Sequence, residues 1–334
     1  MLVTIRVADP KPCYRAVRLC SDLRLRDRDF VPEDGGWALH LSRANLARLE
    51  YQLELVSRDG SNEVVCDPAN PSRVPGAFGE KSVVWAPDYR PPAWLDKPRV
   101  GGNFAELGIR ALGQELLVRI WSPGGGELPL LVAHDGPEYD TLASLTSYAG
   151  AMIAGGTLAP FRLALLPPGA RDEWYSASAV YARALCRRIL PAIRQQIPVA
   201  GRPVGMGASL GALAMLHAQR RWPGTFAGLF LQSGSFFVPR FDRHESGFPR
   251  YGRVTRFVNG VLGVPSHDDR VPVTMTCGVE EDNVHNNRLM VASLLAQGYA
   301  ARLHEVLDLH NYTAWRDALH PQLTGLLSFV WSRR

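Results

Sequence analysis

Gly207-Ala208-Ser209-Leu210-Gly211 constrains this chain more than any other stretch. The pentapeptide follows the short apolar run Pro203-Val204-Gly205-Met206 and leads into Ala212-Leu213-Ala214-Met215-Leu216, a helix-forming composition. A serine hydroxyl is a weak nucleophile at its free pKa. Chemistry at Ser209 therefore needs an exposed side chain on a strained strand-to-helix turn, beside a base and at a helix N-terminus. Glycines two before and two after the serine let the backbones of such a turn approach closely. A Gly/Ser-rich turn without chemistry shares the pentapeptide; the apolar strand before it and the helix after it favour the elbow.

An elbow serine of this kind is followed along the chain by an acid and then a histidine. Val271-Pro272-Val273-Thr274-Met275-Thr276-Cys277-Gly278 reads as a buried strand stopped by glycine, and Val279-Glu280-Glu281-Asp282-Asn283 as an acidic turn. The segment from Asn287 to Gln297 reads as a helix closed by Gly298, and Ala301-Arg302-Leu303-His304-Glu305-Val306-Leu307 as a further strand. Asp308-Leu309-His310-Asn311-Tyr312 ends that strand, and a helix is expected over Ala314 to Leu319. Acid and histidine thus fall in loops at the C-terminal ends of strands, the edge of an open parallel sheet where sites assemble. Glu280, Glu281 and Asp282 are adjacent, and the residues alone leave the choice among them open.

From about Leu130 to the C-terminus the chain resembles the enterochelin esterase branch of the esterase D group of α/β-hydrolases. Six ordered pieces carry the resemblance: Ala133-His134-Asp135-Gly136-Pro137-Glu138-Tyr139, Pro168-Gly169-Ala170-Arg171-Asp172-Glu173-Trp174-Tyr175, the Ser209 elbow, Gln232-Ser233-Gly234-Ser235-Phe236, Gly278-Val279-Glu280-Glu281 and His310-Asn311-Tyr312-Thr313-Ala314-Trp315-Arg316. The resemblance implies an α/β-hydrolase domain, with Ser209 as nucleophile, His310 as general base and acid, and Glu281 as the orienting acid. Asp308-Leu309-His310-Asn311 stands where the family usually shows Gly-Gly-His-Asp, so the histidine turn is built differently here.

The other histidines suit these roles less well. His304 alternates with apolar residues inside a strand, and His320 precedes Pro321 in a helical stretch. His134 adjoins the loop that supplies half of an oxyanion hole in such enzymes, which gives it a role in shaping that loop. A tetrahedral intermediate needs two backbone N–H donors. Leu210, following the nucleophile, supplies one. For the other, Pro137 has no N–H, which leaves Gly136 or Glu138, and glycine permits the closer approach; Gly136 is the expected donor.

The N-terminal third has a different grammar. Leu2 to Val7, Tyr14 to Leu19, Trp37 to Leu41 and Tyr51 to Val56 are short period-two runs separated by Asp-Gly, Pro and Gly-Gly punctuation, the pattern of an all-β sandwich. Asp67-Pro68-Ala69-Asn70-Pro71 and Phe78-Gly79-Glu80-Lys81-Ser82 resemble the end of the immunoglobulin-like (early-set) domain that precedes the catalytic domain in this family. Pro87 through Trp94, with Pro91-Pro92 inside, reads as a semi-rigid linker. The expected division is 1–90 for the β-sandwich and 91–334 for the hydrolase domain. Such a β domain covers the active site, holds a sugar or mediates dimerisation into a homo-oligomer, or else serves packing and solubility alone.

With 334 residues, 46% hydrophobic and 21% charged, the chain has the length for two cores and the balance of a globular protein. No apolar stretch is long enough to predict a membrane span, and Met1 to Cys13 lacks a signal-peptide apolar core. An odd set of 5 cysteines without framework spacing points to thiols in a reducing, cytoplasmic compartment. CxxC, HExxH and P-loop patterns are missing, so neither cofactor nor metal is expected. The net charge of +5 comes from scattered arginines with no aromatic-basic nucleic-acid module, so no nucleic-acid partner is expected.

One arginine cluster stands out after the Ser233-Gly234-Ser235 strand end. Arg240, Arg243, Arg250, Arg253 and Arg256 are interleaved with Phe236, Phe237, Phe241, Phe248 and Tyr251. As a cap it would suit an anionic or aromatic acyl group; as a solvated loop its arginines would pair with Asp242 and Glu245. Arg171, Arg240 and Arg243 are the substrate-binding candidates. The sequence reading is a serine esterase acting on a small-molecule ester, of siderophore or acylated-sugar type. Transfer of the acyl group to a sugar hydroxyl, and a catalytically silent carbohydrate-binding protein, are the alternatives.

Overall fold

The structure, a computed structural model, describes residues 2–25, 27–42, 46–264 and 268–332 of the chain. It divides into two compact units. The first comprises Met1–Arg90 with Gly278–Asp282 and Val306–Ala314; the second comprises Pro91–Cys277, Asn283–Glu305 and Trp315–Arg334.

The first unit is built on strands β1 (Leu2–Ala8), β2 (Tyr14–Cys20), β3 (Val31–Glu33), β4 (Gly36–Ser42), β5 (Arg48–Ser57), β6 (Asn62–Val65), β7 (Arg73–Val74) and β8 (Lys81–Trp85). One antiparallel sheet runs β1-β4-β3 and the other β2-β5-β8-β7, with β6 also on β5. Alternate residues turn inward as a period of two requires. Ile5 and Val7 of β1, Leu39 and Leu41 of β4, Val17 and Leu19 of β2, and Leu49, Tyr51, Leu53 and Leu55 of β5 form a single apolar cluster between the sheets. Leu309 belongs to the same cluster and is 1% exposed. Full burial of a leucine contributes about 1.5–3 kcal/mol relative to exposure.

The two compact units are not drawn along one cut in the chain. A cut after residue 90 assigns both the acid turn and the histidine loop to the hydrolase domain, whereas these two loops pack with the sandwich. The reason is local: the residue before His310 is an apolar leucine that a core can take, where glycine would have no side chain to bury.

In the second unit eight strands form one sheet: β9 (Asn103–Ala111), β10 (Gln114–Ser122), β11 (Leu130–Ala133), β12 (Arg162–Leu165), β13 (Val204–Ala208), β14 (Gly228–Gln232), β15 (Val273–Gly278) and β16 (Ala301–Val306), in the order β16-β15-β14-β13-β11-β12-β10-β9. The hairpin β9–β10 is antiparallel, β10 is antiparallel to β12, and the ladders β12–β11–β13–β14–β15 are parallel. Every residue of β11 through β15 is buried, as expected for parallel strands covered by helices on both faces. The helix Val284–Ala296 begins three residues before the segment read as helical. Trp94 is no linker residue: it lies in the 3-10 turn Ala93–Asp96, buried edge-on against Tyr148 at 5.6 Å. Among the described residues no helix is long and apolar enough to cross a membrane.

Candidate active site

Ser209 occupies the turn between β13 and the helix Leu210–Arg221, with φ 56° and ψ −124°. A positive φ is costly for a residue with a Cβ and persists only where the surroundings impose it. Here they do so from both sides. The Ser209 N–H donates to the Gln232 carbonyl at 2.9 Å, and its carbonyl accepts from the Ser235 N–H at 3.1 Å. A Cβ on Gly207 would lie 2.6 Å from the backbone carbonyl carbon of Gly211, so only glycine lets the strand end and the helix start close to this distance.

The neighbouring strand end is equally fixed. The Gly234 N–H donates to Asn287 Oδ1 at 3.1 Å and the Gly234 carbonyl accepts from Asn287 Nδ2 at 2.9 Å. Beneath it, Gln232 Nε2 donates to Thr276 Oγ1 and to the Trp315 carbonyl, both at 3.1 Å, while its Oε1 accepts from Tyr139. This brings the Ser235 hydroxyl to 3.0 Å from Ser209 Oγ. In the sequence Ser235 stands out only within the Gln232–Phe236 motif; its place at the strand end next to the elbow is the signal that marks it.

His134 is fully buried, with Nδ1 2.9 Å from the Gly211 carbonyl and Nε2 2.9 Å from the Tyr181 hydroxyl. A carbonyl only accepts, so Nδ1 carries the proton and Nε2 accepts from Tyr181. Burial pushes the imidazole pKa down to about 4, so the ring is neutral. It also stacks on Tyr175 at 4.4 Å. The loop-shaping role expected of His134 thus has a physical form: it fastens the β11 loop to the elbow helix. Asp135 extends the fastening. Its buried carboxylate is raised by desolvation and opposed by Arg171, whose Nε and Nη2 reach it at 3.0 Å. Arg171, expected to contact substrate, is engaged with this loop carboxylate.

Gly136 is not a suitable oxyanion donor, contrary to expectation. Its N–H donates to the Leu166 carbonyl at 2.9 Å. The glycine answers a packing need, since a Cβ there would lie 2.3 Å from Leu165 Cα. Leu210 is the first residue of its helix, in the turn whose N–H groups have no intrahelical acceptor.

In the first unit, the acid turn and the histidine loop meet. Glu281 Oε2 lies 2.8 Å from His310 Nδ1, and Glu281 Oε1 accepts from the Gly278 N–H at 2.7 Å. Glu281 is 5% exposed. Asp282 points elsewhere, its exposed carboxylate paired with Arg24 at 2.8 Å. Among the three adjacent acids, the one that meets the imidazole is therefore Glu281.

The arginine cluster splits in two. Arg250 and Arg253 are committed to Glu173, which hydrogen bonds from Arg253 hold below the usual carboxylate range. Asp242, expected as a partner for these arginines, is buried and accepts from the Val238 N–H at 2.6 Å and from Asn286 at 3.1 Å. Arg240 and Arg243 are exposed, Arg240 with its guanidinium 5.5 Å from the Phe241 ring centre. His304 lies within β16 as expected, and His320 bonds Thr324 Oγ1 through Nδ1 at 3.0 Å.

Comparison with solved structures gives the same fold over nearly the whole chain. The enterobactin esterase of Shigella flexneri, in the presence of 2,3-dihydroxy-N-benzoyl-serine, has a TM-score of 0.77 at 20% identity, covering 99% of this chain and 94% of that one. The ferric enterobactin esterase of Salmonella typhimurium has a TM-score of 0.75 at 20% identity over 99% and 94%. A ferulic acid esterase matches 68% of this chain and 97% of its own with a TM-score of 0.57 and 16% identity. No curated protein sequence matches the chain significantly. The family model described as "Putative esterase" matches residues 109–326, from the first hairpin of the large sheet through the elbow and the histidine loop to the last helix. With that span matched and the fold shared, the chain belongs to this esterase family.

Proposed function

We propose that the protein hydrolyses carboxylic esters through an acyl-enzyme, with Ser209 as nucleophile, His310 as general base and acid, and Glu281 as the orienting carboxylate. The observation that carries this reading is Ser209 held at φ 56° on a strand-to-helix turn, a conformation that backbone packing imposes and a mere connection does not need. The Glu281–His310 hydrogen bond supports it: a carboxyl oxygen that accepts from Nδ1–H leaves Nε2 as the basic nitrogen.

In this mechanism His310 Nε2 takes the Ser209 proton as Oγ attacks the ester carbonyl, and the imidazolium then protonates the leaving alcohol. Water, deprotonated by the same nitrogen, attacks the acyl-enzyme and releases the acid and the serine. The Leu210 N–H stabilises the oxyanion. With the Gly136 N–H engaged, the second donor is proposed to come from elsewhere in the loop after β11. Leu210 opens its helix, where the dipole favours the developing negative charge. Relatives of this fold described as enterobactin and ferulic acid esterases support an ester that carries an aromatic group as substrate. Two antiparallel sheets over one core support an immunoglobulin-like reading of the first unit. All five cysteines lie outside disulfides, which supports a cytoplasmic setting.

The direct test is covalent. A fluorophosphonate probe should label the protein stoichiometrically, with the adduct on the peptide containing Ser209, and His310→Ala should abolish labelling. Labelling that survives in Ser209→Ala would refute the nucleophile.

A further inference from the structure

The turn that carries His310 is stitched together by one carboxylate. Asp308 Oδ1 accepts the Leu309 N–H at 2.8 Å, and the Asn311 N–H closes the turn on the Leu309 carbonyl at 3.0 Å. The other oxygen, Oδ2, pairs with Arg48 Nη2. Arg48 opens β5 of the sandwich, and its side chain is 0% exposed. Its guanidinium is covered by the stacked pair Trp85 and Tyr89, at 5.8 and 5.4 Å from the two ring centres, and lies 3.6 Å from Glu50. Further bonds join the same two segments: the Ala47 N–H donates to the Leu307 carbonyl at 2.7 Å, and the Glu50 carboxylate takes a hydrogen bond from the Thr313 side chain.

A guanidinium withdrawn from water into such a site is poorly explained as a source of stability, because desolvation offsets most of the attraction. What it does supply is direction, since an ion pair closed off from water against the Trp85–Tyr89 pair holds both groups in one arrangement. We propose that Arg48 and Asp308 are a positioning pair that sets the imidazole of His310 against Glu281, making the β-sandwich a working component of the esterase. The inference rests on the catalytic reading of His310 given above.

The test uses the full-length protein with Arg48→Met, Asp308→Asn, the double variant and Arg48→Lys. Hydrolysis of p-nitrophenyl acetate should show kcat lowered about 10- to 100-fold in either single neutral variant, with KM within about threefold, as expected when a reacting group is displaced by a fraction of its own length. The double variant should be no slower than the slower single one, because the two residues act as a unit. Arg48→Lys should recover part of kcat. Independently of turnover, the downfield proton resonance of the His310 Nδ1–H should broaden or shift in Arg48→Met at a temperature where circular dichroism reports a folded protein.

Folded variants that keep both the wild-type kcat and the wild-type resonance would overturn the proposal, as would a kcat loss that vanishes on cooling below the melting transition. If Arg48→Met does not fold, Asp308→Asn and Arg48→Lys decide by the same readouts. The two readings fail separately: wild-type hydrolysis that persists in Ser209→Ala defeats the mechanism, whereas the imidazole resonance tests the positioning pair without any substrate.

Discussion

The serine and the histidine of the proposed triad are held by different physics. Around Ser209 the restraint is backbone: two carbonyl–amide bonds, a glycine that nothing larger could replace, and the neutral His134 tying the adjacent loop to the elbow helix. Around His310 side chains join the backbone bonds of the loop, with Leu309 in the sandwich core, Asp308 on Arg48 and Glu281 on the ring itself. An elbow built from backbone contacts is readable wherever its glycines occur. A loop held by side chains can be carried by many sequences, so its anchor shows only when the fold is seen.

The largest effect expected separates the proposed nucleophile from its scaffold. Ser209→Ala should lower p-nitrophenyl acetate hydrolysis by about three to six orders of magnitude, the scale of triad serines, with an unchanged unfolding midpoint because the Cβ that sets the strained turn is kept. Retention of more than about a tenth of the activity would sink the mechanism.

On the histidine side, Glu281→Gln should lower kcat about a hundredfold, since in the proposed mechanism the acid orients the imidazole and stabilises its charged form without touching the substrate. Asp282→Asn, which disturbs an exposed pair with Arg24, should change kcat by less than about threefold. A reversal of these two results would mean that the acid turn works in a register other than the one seen.

The comparison also predicts which restraint acid attacks. His134 is neutral in the fold with its pKa lowered to about 4, whereas in the unfolded chain it protonates near 6.5. Below that value the unfolded state binds more protons, so stability falls as pH drops from 6.5 towards 4, by up to about 3 kcal/mol for this ring. His217, also lowered to about 4 by burial, adds a slope of the same sign. Urea midpoints at pH 7 and 4.5 should reveal the loss, and His134→Asn should flatten it, leaving the shares of His217, His304 and His320, all lowered by burial. An unchanged pH slope in His134→Asn would show that the loop fastening lies elsewhere.

These restraints were unequally legible beforehand. Glycine spacing around Ser209, the apolar strand before it and the order of acid and histidine all act through neighbouring residues, so a linear reading reaches them. The choice among Glu280, Glu281 and Asp282 turns on which side chain is directed inward, a rotation of about one residue in a turn, and only the structure distinguishes the buried Glu281 from the exposed Asp282. Gly136 illustrates the opposite error: a glycine chosen for close approach to an oxyanion makes its close approach to Leu165 instead. Arg48 carried no signal at all, because its partner Asp308 lies at the far end of the chain and an arginine opening a strand reads as surface charge.

The smallest effect expected concerns the part of the arginine cluster that neither restraint uses. Arg250 and Arg253 are spent on Glu173, but Arg240 and Arg243 stand exposed on the segment after β14. If they draw an anionic acyl group to the nucleophile, replacing both with glutamine should raise KM for a negatively charged ester about two- to fivefold, the scale of exposed charge pairs. A neutral acetyl ester should be unaffected. The difference should shrink as salt is added, because attraction between exposed charges is screened over about 8 Å at physiological ionic strength. Replacing Arg250 and Arg253 should act otherwise: with Glu173 left unpaired, the loss should fall on stability and on both esters alike. Equal KM changes for the two esters in the Arg240/Arg243 variant would make those residues surface charge, and the acyl specificity would then have to come from the aromatic side chains of the same segment.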